Sequence, residues 1–252
     1  MPYSLKGRNV LVTGGSRGLG ALVAEKFAAE GSNIAINYVS SEDRAKETAQ
    51  KIESEYKVKA VVIHGDMGIQ DDCIRVVKSS KEALGGLDIV ISNAGWTKFS
   101  NFSDLNSLNE DEWDKCWATN VKGNLHLFRE VLPAFNENPE GGVFIITSSI
   151  AGISPTGSSM AYSVTKAAGL HLMKCLAQTQ GPKVRVNSVL PGLLLTDWGR
   201  KFGQTQIEEW PDKLVLKRIV DLDDCAALYP AIAKNSSMTG QSIQVDSGAI
   251  IR

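Results

Sequence analysis

Short apolar runs rich in β-branched residues alternate with longer segments of helical period along almost the whole chain, and this alternation sets the fold class. The runs are NVLVT (9–13), NIAIN (33–37), AVVIHG (60–65), LDIVIS (87–92), GGVFIIT (141–147), VRVNSVL (184–190) and SIQV (242–245). Between them the spacing predicts helices over 19–31, 41–56, about 70–84, about 111–135, 162–178 and about 222–233. The runs are nearly continuous in apolar character, which suits strands covered by helices on both faces. The order βαβαβ… therefore predicts an α/β fold with one doubly wound parallel sheet. No linker or repeat divides the 252 residues, so 1–252 reads as a single domain. Residues 193–220 show no regular period.

Bulk properties narrow the function by exclusion. Basic and acidic residues nearly balance, 27 against 28, which favours neither nucleic acid nor an anionic membrane as partner. No apolar run is long enough to span a bilayer, and the first residues, MPYSLKGRNVLVTGG, lack the zones of a signal peptide. Cys73, Cys116, Cys175 and Cys225 form no CxxC pair and read as free thiols of a reducing compartment. A cytoplasmic location follows as the expectation. His64, His126 and His171 lack metal-ligand spacing, so no metal site is expected.

The stretch VTGGSRGLG (12–20) joins the first strand to the first helix. Gly14, Gly18 and Gly20 allow a tight turn and a close backbone approach to a pyrophosphate, with the helix N-terminus offering free N–H groups. The second strand ends at Asn37-Tyr38, without the acid that would bind an NAD ribose, and Ser40 and Ser41 follow. With Arg17 in the glycine loop, these hydroxyls can hold a 2′-phosphate, which favours NADP(H). The competing reading makes Arg17 a solvated residue and the serines helix caps.

The glycine loop, SNAG (92–95), TN (119–120), SSIAG (148–152), YSVTK (162–166) and PG (191–192) occur in this order. Together they resemble the short-chain dehydrogenase/reductase family in its single-domain form, especially the NADPH-dependent ketoacyl and polyketide-type carbonyl reductases. The resemblance implies a seven-stranded Rossmann-like sheet, with a cofactor half over about 1–140 and a catalytic and substrate part over about 141–252. It also implies a homotetramer, or failing that a dimer. Tyr162 then resembles the acid/base, Lys166 the ribose-binding lysine that lowers its pKa, Ser149 the serine that holds the substrate oxygen, and Asn120 the residue that positions a relay water. Asp66 and Met67 resemble the adenine-binding pair, and Asn93, Ala94 and Gly95 the adenosine-ribose segment. Pro191, Gly192, Leu194 and Thr196 resemble the nicotinamide wall, and Ser16 and Leu19 complete the phosphate loop. Two positions depart from the family pattern: Ser92 in SNAG and Ser247 in DSG.

Tyr162 and Lys166 stand one helical turn apart and so share a helix face. Trp96, Ile153, Met160, Trp198 and Phe202 fall in segments that border the reacting centre, with Phe99, Phe102 and Trp210 nearby. A pocket built from them suits a bulky apolar or aromatic carbonyl or alcohol, closed by a lid at about 193–220. No basic patch for an acyl-carrier protein is evident in the sequence. The leading reading is an NADPH-dependent carbonyl reductase. An NAD-linked alcohol dehydrogenase and a catalytically silent dinucleotide-binding sensor are the alternatives.

Overall fold

The computed structural model describes residues 3–251. Seven parallel strands form one sheet: β1 (Asn9–Val12), β2 (Asn33–Tyr38), β3 (Ala60–His64), β4 (Ile89–Ser92), β5 (Gly142–Thr147), β6 (Val184–Pro191) and β7 (Ser242–Val245). Their spatial order is β3-β2-β1-β4-β5-β6-β7. The order reverses between β1 and β4, and a doubly wound sheet opens its crevice at such a switch point, beyond the carboxyl ends of the strands.

Alternation along each strand divides the core into two. Val10, Val12, Ile34, Ile36, Ile89, Ile91, Val143 and Ile145 point to one face, where they meet α1 (Gly18–Ala29), α2 (Glu42–Tyr56) and α8 (Leu222–Lys234). Leu11, Ala35, Val90, Phe144, Ile146 and Val186 point to the other, against α3 (Gln70–Leu84), α5 (Gly123–Glu137) and α6 (Met160–Gln180). Both faces are therefore dry, as the unbroken apolar runs require. Phe27, Phe128, Phe135, Phe144 and Tyr229 are among the largest fully buried side chains. Each contributes roughly 1.5–3 kcal/mol by leaving water.

Two segments differ in kind from the sequence reading, and several element ends shift by one or two residues. The helix expected over 111–135 is broken in two. α4 (Glu110–Trp117) starts at a capping box, in which Asn109 Oδ1 accepts from Glu112 N at 3.0 Å and the Glu112 carboxylate accepts from Asn109 N at 3.0 Å. A wide π-turn at Ala118–Lys122 then precedes α5. Its cause is local: Asn124 Nδ2 donates to the Asn120 carbonyl at 2.6 Å, competing with the helical ladder. Residues 193–220 fold as short pieces, namely 3₁₀ turns at Gly199–Phe202 and Pro211–Lys213 and α7 (Gln204–Glu209). The second strand runs one residue further, to Tyr38.

One buried bond ties the core to the edge of the crevice. The Tyr229 hydroxyl of α8 lies 2.8 Å from Thr147 Oγ1 at the end of β5. Tyr229→Phe leaves the Thr147 hydroxyl without its partner, and an unmade buried bond costs about 1–3 kcal/mol. Urea denaturation should show a lowered midpoint at unchanged slope. An unchanged midpoint would mean the bond contributes nothing.

Candidate active site

The crevice is a cleft of about 980 Å³ that runs from the glycine loop to the segment after β6. Its phosphate end is shaped by steric limits. Gly18 has φ +57°, a conformation costly for any side chain, and a Cβ on Gly20 would lie 2.3 Å from the Gly14 carbonyl. Arg17, the N-cap of α1, makes no side-chain cap bond, so the helix opens onto the cleft through backbone N–H groups. Those features form a cradle that a pyrophosphate fits. Asn37 is not a free strand-end residue. Its side chain is buried, accepts from Gly14 N at 3.2 Å and donates to the Gly65 carbonyl at 2.9 Å, bracing the loop against β3.

Thr13 does similar work on the other side and was not singled out by the sequence pattern. Its hydroxyl oxygen accepts from both Asn93 N and Ala94 N at 2.9 Å, and Asn93 Nδ2 donates back to the Thr13 carbonyl at 3.0 Å. Asp66 spends one carboxylate oxygen on Gly68 N at 2.8 Å and also lines the cleft. Tyr38, Ser40, Ser41, Met67, Gly95, Pro191, Gly192, Leu194 and Thr196 complete this wall. Both departures from the family pattern are accommodated. The Ser92 hydroxyl donates to Asn124 Oδ1 at 2.6 Å, and Ser247 takes φ +56°, where the family's glycine is the easier residue.

The reacting end is assembled by two segments docked on each other. After β5, Ser148 and Ser149 lead into a 3₁₀ turn at Ile150–Gly152, and Ser149 Oγ accepts from Ala151 N at 3.1 Å. α6 begins beside it, capped by Ser159, whose hydroxyl accepts from Tyr162 N at 3.2 Å. Ser163 Oγ donates to the Ala151 carbonyl at 2.7 Å, and Ser148 Oγ to the Lys166 carbonyl at 3.2 Å. Gly152 lets the backbones touch, since a Cβ there would lie 2.9 Å from the Lys166 carbonyl carbon. The result brings Ser149, Tyr162 and Lys166 together on one wall of the cleft, with the Ser149 hydroxyl near enough to the Tyr162 phenol to favour its ionised form.

Burial dominates the electrostatics here. It pushes the Tyr162 phenol well above its ordinary value, against the opposing pull of the nearby Ser149 hydroxyl. It pushes the Lys166 amine down to about 8. Lys166 is 6% exposed, and its Nζ donates to the Thr147 carbonyl at 2.8 Å while lying 5.4 Å from the Tyr162 ring centroid. The expected lowering of the phenol by the ammonium is therefore not seen: the amine is turned to a carbonyl, and desolvation outweighs it. Asn120 is buried behind the cleft wall. Its amide accepts from Trp96 N at 2.8 Å and donates to the Trp96 carbonyl at 2.9 Å and to Thr165 Oγ1 at 3.0 Å, clamping the loop after β4 to α6.

Trp96, Phe99, Phe102, Trp198, Phe202 and Trp210 line the outer cleft, and the Trp198 ring lies 5.8 Å from that of Tyr162. Ile153 and Met160 do not line it. Ile150, Ala151 and residues 155–158 face the space instead. Lys115, Lys201 and Lys213 also stand on the cleft, so basic groups scattered through the sequence converge there. Among the described residues no cluster could hold a metal ion, and no helix is long and apolar enough to cross a membrane.

Comparison with known proteins agrees with this arrangement. The short chain dehydrogenase family model matches residues 8–207. A granaticin polyketide synthase putative ketoacyl reductase from Streptomyces violaceoruber is 32% identical, over 95% of this chain and 94% of its own. A short chain dehydrogenase from Burkholderia cenocepacia, solved in complex with NADP, superposes with a TM-score of 0.89 at 31% identity, over 98% of this chain and 99% of that one. An NADPH-dependent 3-quinuclidinone reductase from Rhodotorula rubra superposes with a TM-score of 0.90 at 26% identity, over 99% and 93% of the two chains. The cleft, the fold and these likenesses agree: the chain belongs to the short-chain dehydrogenase family of nicotinamide-dependent oxidoreductases.

Proposed function

We propose that the protein is a cytoplasmic NADP(H)-dependent carbonyl reductase, reversible in principle, acting on a bulky apolar or aromatic ketone. The observation that carries this reading is the convergence of Ser149, Tyr162 and Lys166 at the end of a cleft that opens from a glycine loop bearing Arg17. The glycine loop and α1 N-terminus would hold the pyrophosphate, and Arg17 with Ser40 and Ser41 the 2′-phosphate. Asp66 and Met67 would hold the adenine, Asn93 to Gly95 the adenosine ribose, and Pro191 to Thr196 with Lys166 the nicotinamide riboside. When bound, the dinucleotide supplies or accepts a hydride.

The chain's own groups handle the proton and the developing charge. A phenol is protonated at neutral pH, and Tyr162 would deliver its proton to the carbonyl oxygen. Ser149, on the same wall as that phenol, would hold the same oxygen as charge grows on it. Asn120 acts as a positioning residue, fixing Trp96 and Thr165 around the pair. The aromatic outer cleft excludes water and favours flat apolar substrates. Val164 and Ala167 on the outward side of α6 are exposed and suit helix packing between copies, which supports the homotetramer reading.

A second reading takes an acyl carbonyl substrate. The rim lysines Lys115, Lys201 and Lys213, together with the ketoacyl reductase named among the relatives, favour it. A carrier-linked ketoacyl thioester turned over faster than any aromatic ketone would select it.

Turnover followed at 340 nm decides the main reading. NADPH should be oxidised in the presence of a bulky aromatic ketone, and Tyr162→Phe should lower kcat by about a hundredfold or more while NADPH binding persists. NADPH binding with no turnover on any ketone or ketoacyl thioester would leave a binding protein instead.

Lys166 gives a separate, pH-dependent expectation. Its folded value of about 8 lies below its unfolded one near 10.4, so the burial cost is fully present below pH 8 and fades as pH rises between the two. Lys166→Met should therefore be more stable than the wild type at pH 7, by about 1–3 kcal/mol, with the gap closing toward pH 10. Urea denaturation of both proteins across that range measures it; a gap independent of pH would exclude the buried charge as its cause.

A further inference from the structure

Arg44 was not among the residues the sequence pattern marked, yet it pairs with Asp197 of the cleft wall. It stands in the first turn of α2, just after β2, where a doubly wound sheet receives the adenosine ribose. Its Nη1 donates to Asp197 Oδ2 at 2.6 Å, and Arg17 Nη1 lies 3.8 Å from the same oxygen. Two guanidinium groups thus meet one carboxylate of the cleft wall, and Arg44 follows Ser40 and Ser41 of that wall by four and three residues. That is the donor set a phosphate monoester takes, and a carboxylate is the smaller anion of the same kind.

Asp197 comes from the other side of the cleft. It sits between Thr196 and Trp198, in the segment after β6. The Thr196 carbonyl accepts from Arg200 N at 2.9 Å, its hydroxyl accepts from Gly199 N at 3.3 Å, and Trp198 packs toward Tyr162. The ion pairs therefore fasten the phosphate end to the backbone that borders the reacting end. All three partners are about half exposed, so the fastening is screened and weak enough to exchange.

We propose that Asp197 competes with the 2′-phosphate of NADP(H) for Arg17 and Arg44. Arg44 is then a second ligand of that phosphate, and recognising the phosphate frees the segment carrying Thr196 and Trp198. The proposal rests on the NADP(H) reading. A phosphate of nearly two negative charges cannot share the two guanidinium groups with a carboxylate without repulsion. Linkage is reciprocal: whatever loosens Asp197 tightens the phosphate, and the phosphate loosens Asp197.

Dissociation constants for NADPH and NADH, read by fluorescence on the whole protein, test the competition. Asp197→Asn should tighten NADPH by about threefold or more and leave NADH unchanged. Arg44→Gln should weaken NADPH by about tenfold, again sparing NADH. Equal changes for both cofactors, or none, overturn the inference. A wild type that prefers NADPH with no Asp197→Asn effect sinks the competition alone. A wild type that prefers NADH sinks the NADP(H) reading, and the Asp197→Asn ratio then still decides whether Asp197 opposes the phosphate. The coupling has its own readout. Adenosine 2′,5′-bisphosphate, which cannot reach the nicotinamide end, should speed hydrogen exchange at the Gly199, Arg200 and Lys201 amides relative to AMP. Identical exchange with both nucleotides would show that the segment is not fastened through Asp197.

Discussion

The site depends on one contact: the first two turns of α6 lie directly on the loop that follows β5. Ser163 and Ser148 bond across this joint to opposing backbone carbonyls, and Gly152 removes the Cβ that would hold the two backbones apart. Hydrogen bonds to backbone carbonyls fix both distance and orientation, which apolar packing alone does less sharply. Ser149 belongs to one segment and Tyr162 and Lys166 to the other, so the triad exists only where the joint closes. Tyr229 and Thr147 extend the same joint into the core, because Thr147 also offers its carbonyl to Lys166.

Closing the joint has an electrostatic cost. The amine is buried and the phenol half-buried at the cleft wall, and desolvation drives each toward its neutral form. The phenol therefore carries its proton, and a bound ligand that favours the phenolate would make that proton easier to give. The amine becomes sensitive to whatever charge or hydroxyl is brought next to it. A buried pair whose protonation is set by desolvation will respond strongly to a ligand that changes the local dielectric and supplies new hydrogen-bond partners. The structure thus trades stability for chemical readiness at one place, and the two apolar faces of the sheet offset the loss elsewhere.

The parts legible in the sequence were those carried by strong local rules. Short unbroken apolar runs placed all seven strands and the 3.6-residue period placed the main helices, since strands covered on both faces of a parallel sheet are apolar throughout. Spacing put Tyr162 and Lys166 on one helix face, and the family resemblance added Ser149 to them. What escaped was set by contacts between distant segments. Asn37 read as a strand end without an acid, whereas its amide is consumed in bracing Gly14 and Gly65. Asn120 sits on a π-turn that follows from the bond made by Asn124, four residues on, which no periodicity shows. Ile153 and Met160 were placed by proximity to the motif, but which neighbours of the motif face the cleft is set by the fold of the loop after β5 and the start of α6, which proximity in sequence does not show. The pairing of Arg44 with Asp197 spans 153 positions and leaves no trace in either stretch alone.

The central claim, that the joint between α6 and the loop after β5 makes the reacting centre, is tested most directly by filling its one gap. The measurement is kcat of Gly152→Ala on the best carbonyl substrate of the wild type, with NADPH affinity as the control for an intact cleft. A methyl group at that position would meet the Lys166 carbonyl carbon at 2.9 Å, so the segments must part. The account predicts a kcat lower by about tenfold or more with NADPH affinity nearly kept, because a small misplacement of reacting groups is costly. A variant with undiminished kcat would contradict it.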